Sequence, residues 1–164
     1  MKSKLLILLM AISLLTAGCN PASRAKEWAE QAVAQTWVAQ YRITFHQQDE
    51  DLVMNVREER GETLVLDITM PNGSLRLEYG ADNLLIDLDR GGLVWEDFAR
   101  QAPYYTLSEL SRQIVAAGEL NNKEDWAEVL GYYVQVKNGM PALVRYQSEW
   151  TLEVEYFRWN EAGS

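Results

Sequence analysis

The sequence predicts an α+β fold, in which an antiparallel sheet is combined with an N-terminal helix and a second helix inserted between strands. Two observations predict it: apolar residues change from helical to alternate spacing near residue 41, and turn residues separate the alternating segments at regular intervals. The chain has 164 residues, of which 48% are hydrophobic and 24% charged. This composition suits one packed domain and excludes wholesale disorder.

Residues 1–18 have the features of a secretory signal peptide. Lys2 and Lys4 precede the apolar run 5–15, which is shorter than the ~20 residues that a membrane-spanning helix needs. The segment ends in Leu-Thr-Ala-Gly-Cys, which resembles the lipobox of bacterial lipoproteins, in which the Cys is acylated and becomes the mature N-terminus. A plain signal peptide followed by an incidental Cys is the alternative.

The lipobox resemblance implies that Cys19 carries the lipid anchor, palmitate included, and that the protein lies on the extracytoplasmic face of the cell membrane. Position 20 is Asn rather than Asp, which in a cell with two membranes implies the outer membrane. We expect residues 19–23 to form the lipidated Cys and a short tether, and residues 24–160 to form one domain.

The mature chain is predicted to begin with an amphipathic helix. Ser23 is suited to the N-cap, and the helix is expected to run to about Tyr41. Its apolar positions recur at three- and four-residue spacing: Trp28, Ala29, Ala32, Val33, Thr36 and Trp37. We expect the tryptophans to pack on the sheet; a position at a membrane interface is the alternative.

Alternating apolar and polar residues predict the strands that follow. The first group covers 52–57, 64–70, 75–79, 84–88 and 93–95, with a turn at 71–74. The second group covers 132–137, 142–146 and 150–156, with Asn138-Gly139 as a two-residue hairpin turn. Such short strands joined by turns indicate an antiparallel meander with one buried face.

A second helix is predicted between these two groups of strands. Pro103 precedes Thr106, which forms a capping box with Glu109, and Gly118 ends the apolar stripe, so the helix covers about 106–117. The segment 119–131 is compatible with a short capped helix and with a loop that enters a strand.

The sequence argues against nucleic-acid binding and against enzyme chemistry. Lys+Arg 15 against Asp+Glu 24 give a formal net charge of −9, whereas binding to a polyphosphate needs a cationic surface. The single Cys and single His nearly exclude a disulfide framework and a zinc cluster. We interpret His46 as a solvent-exposed side chain, and Asp87 and Asp89 as part of the solvent-exposed face of a strand. No catalytic residue, metal or cofactor is predicted.

The element order, together with the hairpin Tyr-x-Val-x-Val-x-Asn-Gly-Met-Pro-Ala-x-Val at 132–144, resembles the LolA-like superfamily of envelope proteins. That superfamily includes lipoprotein carriers, lipid-binding envelope lipoproteins and the GerS-like germination lipoproteins of spore formers. The resemblance implies an unclosed antiparallel half-barrel whose concave face is covered by helices. An acylated chain is closer in character to the anchored, GerS-like members.

Two functions follow from the resemblance. In the first, the inward residues fill the half-barrel and the protein is an anchored scaffold in sporulation or germination that binds an envelope protein. Its acidic surface favours a basic partner. In the second, the concave face binds an acyl chain and the protein stores or transfers lipid. Alternation places the residues of that face at Leu64, Leu66, Ile68, Leu75, Leu77, Tyr79, Leu84, Ile86 and Leu88.

Overall fold

The computed structural model describes residues 20–88, 91–96 and 102–160, with the backbone alone at 95 and 96. The predicted signal peptide, Cys19 and Asp89 lie outside the described residues. Within them, neither helix is long and apolar enough to span a membrane.

The described residues form an α+β fold around one open sheet of eleven strands, as predicted in outline. The sheet has the order β6-β5-β4-β3-β2-β1-β11-β10-β9-β8-β7, and every pairing in it is antiparallel. Strands β6 and β7 are its two edges. The strands are β1 Trp37–Phe45, β2 Leu52–Arg60, β3 Leu64–Met70, β4 Gly73–Tyr79, β5 Asn83–Leu88, β6 Gly91–Glu96, β7 Asn121–Lys123, β8 Trp126–Val129, β9 Tyr132–Lys137, β10 Met140–Tyr146 and β11 Trp150–Trp159.

The first helix, α1, covers Pro21–Ala34 and is shorter than predicted. Its N-cap is Asn20, whose side chain accepts a hydrogen bond from the Ser23 backbone N–H at 2.7 Å. The helix therefore includes residues 21–23, which the sequence analysis assigned to a tether. It contacts the second helix, α2 (Leu107–Ala117), and strands β7–β10.

The predicted extension of α1 to Tyr41 is wrong, because the segment from Trp37 onward is strand β1. Trp37, Ala39 and Tyr41 are all nearly fully buried, and β1 lies between β2 and β11 in the sheet. Pairing on both sides satisfies the backbone groups of β1, and its aromatic and β-branched side chains favour a strand. Trp37 continues the helical spacing of apolar residues in the sequence, but it lies on β1. Its indole N–H donates a hydrogen bond to the Ala32 carbonyl at 3.0 Å.

The second helix and the turns after it follow the sequence more closely. Helix α2 has Thr106 as its N-cap, accepting from the Glu109 N–H at 3.2 Å, and Gly118 follows it at φ 73°. The segment 119–131, for which the sequence allows either a short helix or a loop that enters a strand, contains the hairpin β7–β8. The predicted Asn138-Gly139 turn is confirmed, since both residues have positive φ, 52° and 74°, as a type I′ turn requires.

Candidate functional site

The predicted apolar face of β3–β5 exists, and cross-strand pairing brings its residues together. Leu66 on β3 pairs with Leu77 on β4, and Leu77 pairs with Ile86 on β5. The neighbouring rows have the same pattern, because residues directly opposite each other in a sheet share a face. These rows are Leu64–Tyr79–Leu84 and Ile68–Leu75–Leu88.

Burial along this face decreases from β3 towards the edge of the sheet. Leu64, Leu66 and Ile68 on β3 are between 0% and 2% exposed. Their neighbours Leu77, Tyr79 and Leu84 are also buried, whereas Leu75 and Ile86 are partly buried against the core. The face is therefore closed over β3 and opens towards β5.

Leu88 differs from the prediction, since its side chain is 53% exposed. It lies at the end of β5, where its paired residue on the edge side is Gly91 of β6, which has no side chain to cover it. Leu88 therefore belongs to an exposed apolar fringe rather than to the closed part of the face.

The hairpin β5–β6 exposes apolar side chains on both of its faces. Leu93, which is 60% exposed, pairs with Ile86 on the face that includes Leu88. Val94 pairs with Leu85 on the opposite face, and both are exposed. Among the described residues, β6 pairs with β5 alone and forms one edge of the sheet. Exposed apolar side chains on an open strand edge are typical of a surface that binds another chain.

A buried carboxylate fastens α2 to the apolar face. Glu58 on β2 is 0% exposed and lies beside Leu66 in the sheet. Its carboxylate accepts hydrogen bonds from the Tyr41 hydroxyl at 2.6 Å, the Leu107 N–H at 3.0 Å and the Ser108 N–H at 2.9 Å. The last two donors belong to the first turn of α2, where backbone N–H groups lack partners within the helix.

The electrostatics of Glu58 are set by opposing effects. Burial raises the pKa of Glu58, and the hydrogen bonds from Ser108, Tyr41 and Leu107 counteract that increase only in part. Burial and the neighbouring Glu58 also raise the pKa of Tyr41 well above its ordinary value, so its hydroxyl remains a donor. The positive end of the α2 dipole lies at the carboxylate and stabilises it further. These hydrogen bonds attach the first turn of α2 to strand β2.

Glu58 is not among the candidate residues predicted from the sequence, although the pattern of β2 contains a signal for it. Met54, Val56 and Glu58 alternate along β2, so the strand pattern places this glutamate on the apolar face. The run Val-Arg-Glu-Glu-Arg suggests a solvated strand end, and it is the docking of α2 that makes Glu58 a buried acceptor.

The other titratable groups named from the sequence lie at the surface. His46 Nδ1 is 3.4 Å from Asp51 Oδ1, and both side chains are about half exposed. Asp87 is opposite Arg76 on the other side of the sheet from the apolar face, where Arg76 contacts Asp67 at 2.8 Å. Within the described residues, no group of three or more His, Cys, Asp or Glu side chains could hold a metal ion.

Comparisons with known proteins leave the family of the chain open. No family model matches the sequence, and no curated protein matches it. Among solved structures, a similar chain is that of PNGF-II in space group P21, with 8% sequence identity and a TM-score of 0.26. The match covers 79% of this chain and 29% of the other, so the chain spans less than a third of that structure. A likeness this slight assigns neither fold nor function.

Proposed function

We propose that the protein is a lipid-anchored envelope lipoprotein with a LolA-like half-barrel, and that it is a non-enzymatic scaffold that binds a partner protein. The observation that carries the proposal is the hairpin β5–β6, in which Leu88, Leu93 and Val94 are exposed and β6 is an edge strand of the sheet that the described residues form. A partner chain that adds a strand to β6 would bury these side chains and form backbone hydrogen bonds with β6.

The start of α1 supports an anchor that holds the domain close to the membrane. Asn20 caps the helix, and the Ala22 N–H donates to the Asn122 side chain of β7 at 2.9 Å. Consecutive Cα atoms are ~3.8 Å apart, so an acyl group on Cys19 would lie one residue from the folded domain. A domain attached so closely suits a scaffold at the membrane surface better than a carrier that must travel.

The closed part of the apolar face also favours the scaffold. Leu64, Leu66 and Ile68 are almost fully buried, and Glu58 fastens the first turn of α2 beside them. An acyl chain could enter there only if α2 moved and those hydrogen bonds broke. The net charge of −9, which becomes −11 once Lys2 and Lys4 are removed with the signal peptide, favours a basic partner.

Lipid binding is the second candidate function, and the partly open end of the face favours it. Leu75 and Ile86 are incompletely buried and continue into the exposed Leu88 and Leu93. An acyl chain lying along this fringe would cover the same side chains that a partner protein would cover.

A photo-crosslinking amino acid at Leu93, introduced into the full-length protein in its native cells, distinguishes these functions. We expect a discrete protein adduct that disappears when Leu88 is replaced by Asp, because the charge would have to be desolvated in the interface. Val115 on α2 is exposed and offers a control position outside the hairpin. Equal protein adducts at both positions, or lipid adducts alone at Leu93, would contradict the scaffold proposal.

A further inference from the structure

An aromatic hollow lies away from the β5–β6 hairpin, at the end of the sheet where β9 begins and β10 ends. It is an open depression of about 400 Å³ that combines tyrosine rings with one carboxylate. Its lining residues are Tyr104, Gln113, Leu130, Tyr132, Tyr146 and Glu149. None of these residues contributes to the Glu58 attachment or to the hairpin edge.

The tyrosine wall of the hollow is preformed. The ring centroids of Tyr132 and Tyr146 are 4.7 Å apart, and that of Tyr104 is 6.2 Å from Tyr146. The Tyr132 hydroxyl donates to the Tyr104 carbonyl at 3.2 Å, and buried Trp150 stacks on Tyr146 at 5.8 Å. These contacts fix the wall, while the Tyr104 side chain remains 45% exposed.

The charges around the hollow favour a cation. Glu149 is exposed, and it is the charged member of the lining set. Gln113 donates to Glu109, which is also paired with Arg112, so each of these groups already has a partner within α2. Aromatic faces attract cations through their quadrupole, and a carboxylate beside them adds direct attraction.

We propose that this hollow binds an arginine side chain of a basic partner protein. A guanidinium group can stack on a tyrosine ring while its N–H groups donate to a carboxylate, and it is more weakly hydrated than an ammonium group. A sugar would need several free polar groups around its ring, whereas the amide of Gln113 is already engaged. Only the source of the cation rests on the proposed scaffold function; the hollow itself is a separate surface.

The probe is N-acetyl-arginine amide, with the neutral isostere N-acetyl-citrulline amide as its matched control. Both are titrated into the full-length protein in detergent, labelled with fluorotyrosine and followed by fluorine NMR. We expect the arginine probe to shift the resonances of Tyr104 and Tyr146 with a Kd of about 1 mM, a weak affinity suited to one side chain. We expect the citrulline probe to bind at least fivefold more weakly.

Two substitutions test the residues that would carry the binding. Tyr104→Leu is expected to weaken the arginine probe at least fivefold, and Glu149→Gln to weaken it about threefold and reduce its salt dependence. Tyr156→Leu is the matched control, because Tyr156 is 42% exposed and lies outside the hollow. Thermal unfolding of each variant shows whether the fold is retained.

Three results would overturn the inference: equal binding of the citrulline probe, unchanged binding by a folded Tyr104→Leu variant, or shifts confined to other tyrosines. N-acetylglucosamine that shifts these resonances in place of the arginine probe would also overturn it and would identify a sugar site. The crosslink from Leu93 does not depend on the hollow, so this inference and the scaffold proposal fail separately.

Discussion

Replacing Glu58 by alanine would leave three hydrogen-bond donors without their shared acceptor. These donors are the Tyr41 hydroxyl and the backbone N–H groups of Leu107 and Ser108. A buried donor without a partner costs about 1–3 kcal/mol. Removing the carboxylate also relieves its own desolvation, which is the largest cause of its raised pKa. Taking the lower end of that range, about 1 kcal/mol, for each of the three donors, we expect a net loss of about 3 kcal/mol in the free energy of unfolding.

For a domain of this size, 1 kcal/mol corresponds to about 2–4 °C in Tm, so the expected decrease is about 10 °C. Urea and thermal unfolding, followed by circular dichroism on the full-length protein, measure both quantities. Glu59→Ala is the matched control, because Glu59 is the next residue on β2 and its side chain is 45% exposed beside Arg57. A Glu58→Ala variant within 1 kcal/mol of that control would refute the reasoning.

The same residue predicts a pH dependence. A carboxyl whose pKa is raised on folding contributes stability below its unfolded pKa and loses that contribution as the pH rises through the folded value. We therefore expect the wild type to lose stability relative to Glu58→Gln as the pH rises above 4.5, the ordinary pKa of a glutamate, because the buried carboxyl ionises there. Urea titrations at successive pH values measure this difference, and a relative gain by the wild type would contradict it.

Two further predictions concern the apolar face and the start of α1. Leu66→Ala should lower the free energy of unfolding by about 3 kcal/mol because Leu66 is 0% exposed. Leu88→Ala should lower it by less than about 0.5 kcal/mol because Leu88 is 53% exposed. Equal losses in urea unfolding would contradict a face that is closed at β3 and open at β5. Asn20→Ala should lower the free energy of unfolding by about 1 kcal/mol, because the N-cap hydrogen bond from the Ser23 N–H is lost. Amide hydrogen exchange should increase in the first turn of α1 relative to α2. Unchanged exchange in that turn would argue against the cap.

Much of the sheet could be predicted because alternation is a local signal. Strands β2–β5 and β9–β11 each show one apolar face, and the Asn138-Gly139 turn has a strong local preference. Helix α2 was predictable for the same reason, since Thr106 and Gly118 mark both of its ends.

The rest depends on contacts between distant segments. Trp37 fits both a helical stripe and a strand, and pairing with β2 and β11 decides for the strand. Glu58 becomes buried only because α2 docks on β2, some 50 residues along the chain. Leu88 follows the apolar alternation of β5, but its exposure is set by the neighbouring Gly91 on β6. The aromatic hollow likewise joins residues from α2, β9, β10 and three turns, which no local pattern brings together.

Native mass spectrometry of the full-length protein, extracted from its own cells in mild detergent, tests the central claim most directly. The account predicts a polypeptide that begins at an acylated Cys19, carries no lipid beyond that anchor, and retains one protein partner that dissociates as salt is raised. An unmodified Cys19 would contradict the anchor. A stoichiometric additional lipid that is lost on Leu77→Trp, with no protein partner retained, would contradict the scaffold and identify a lipid-binding protein.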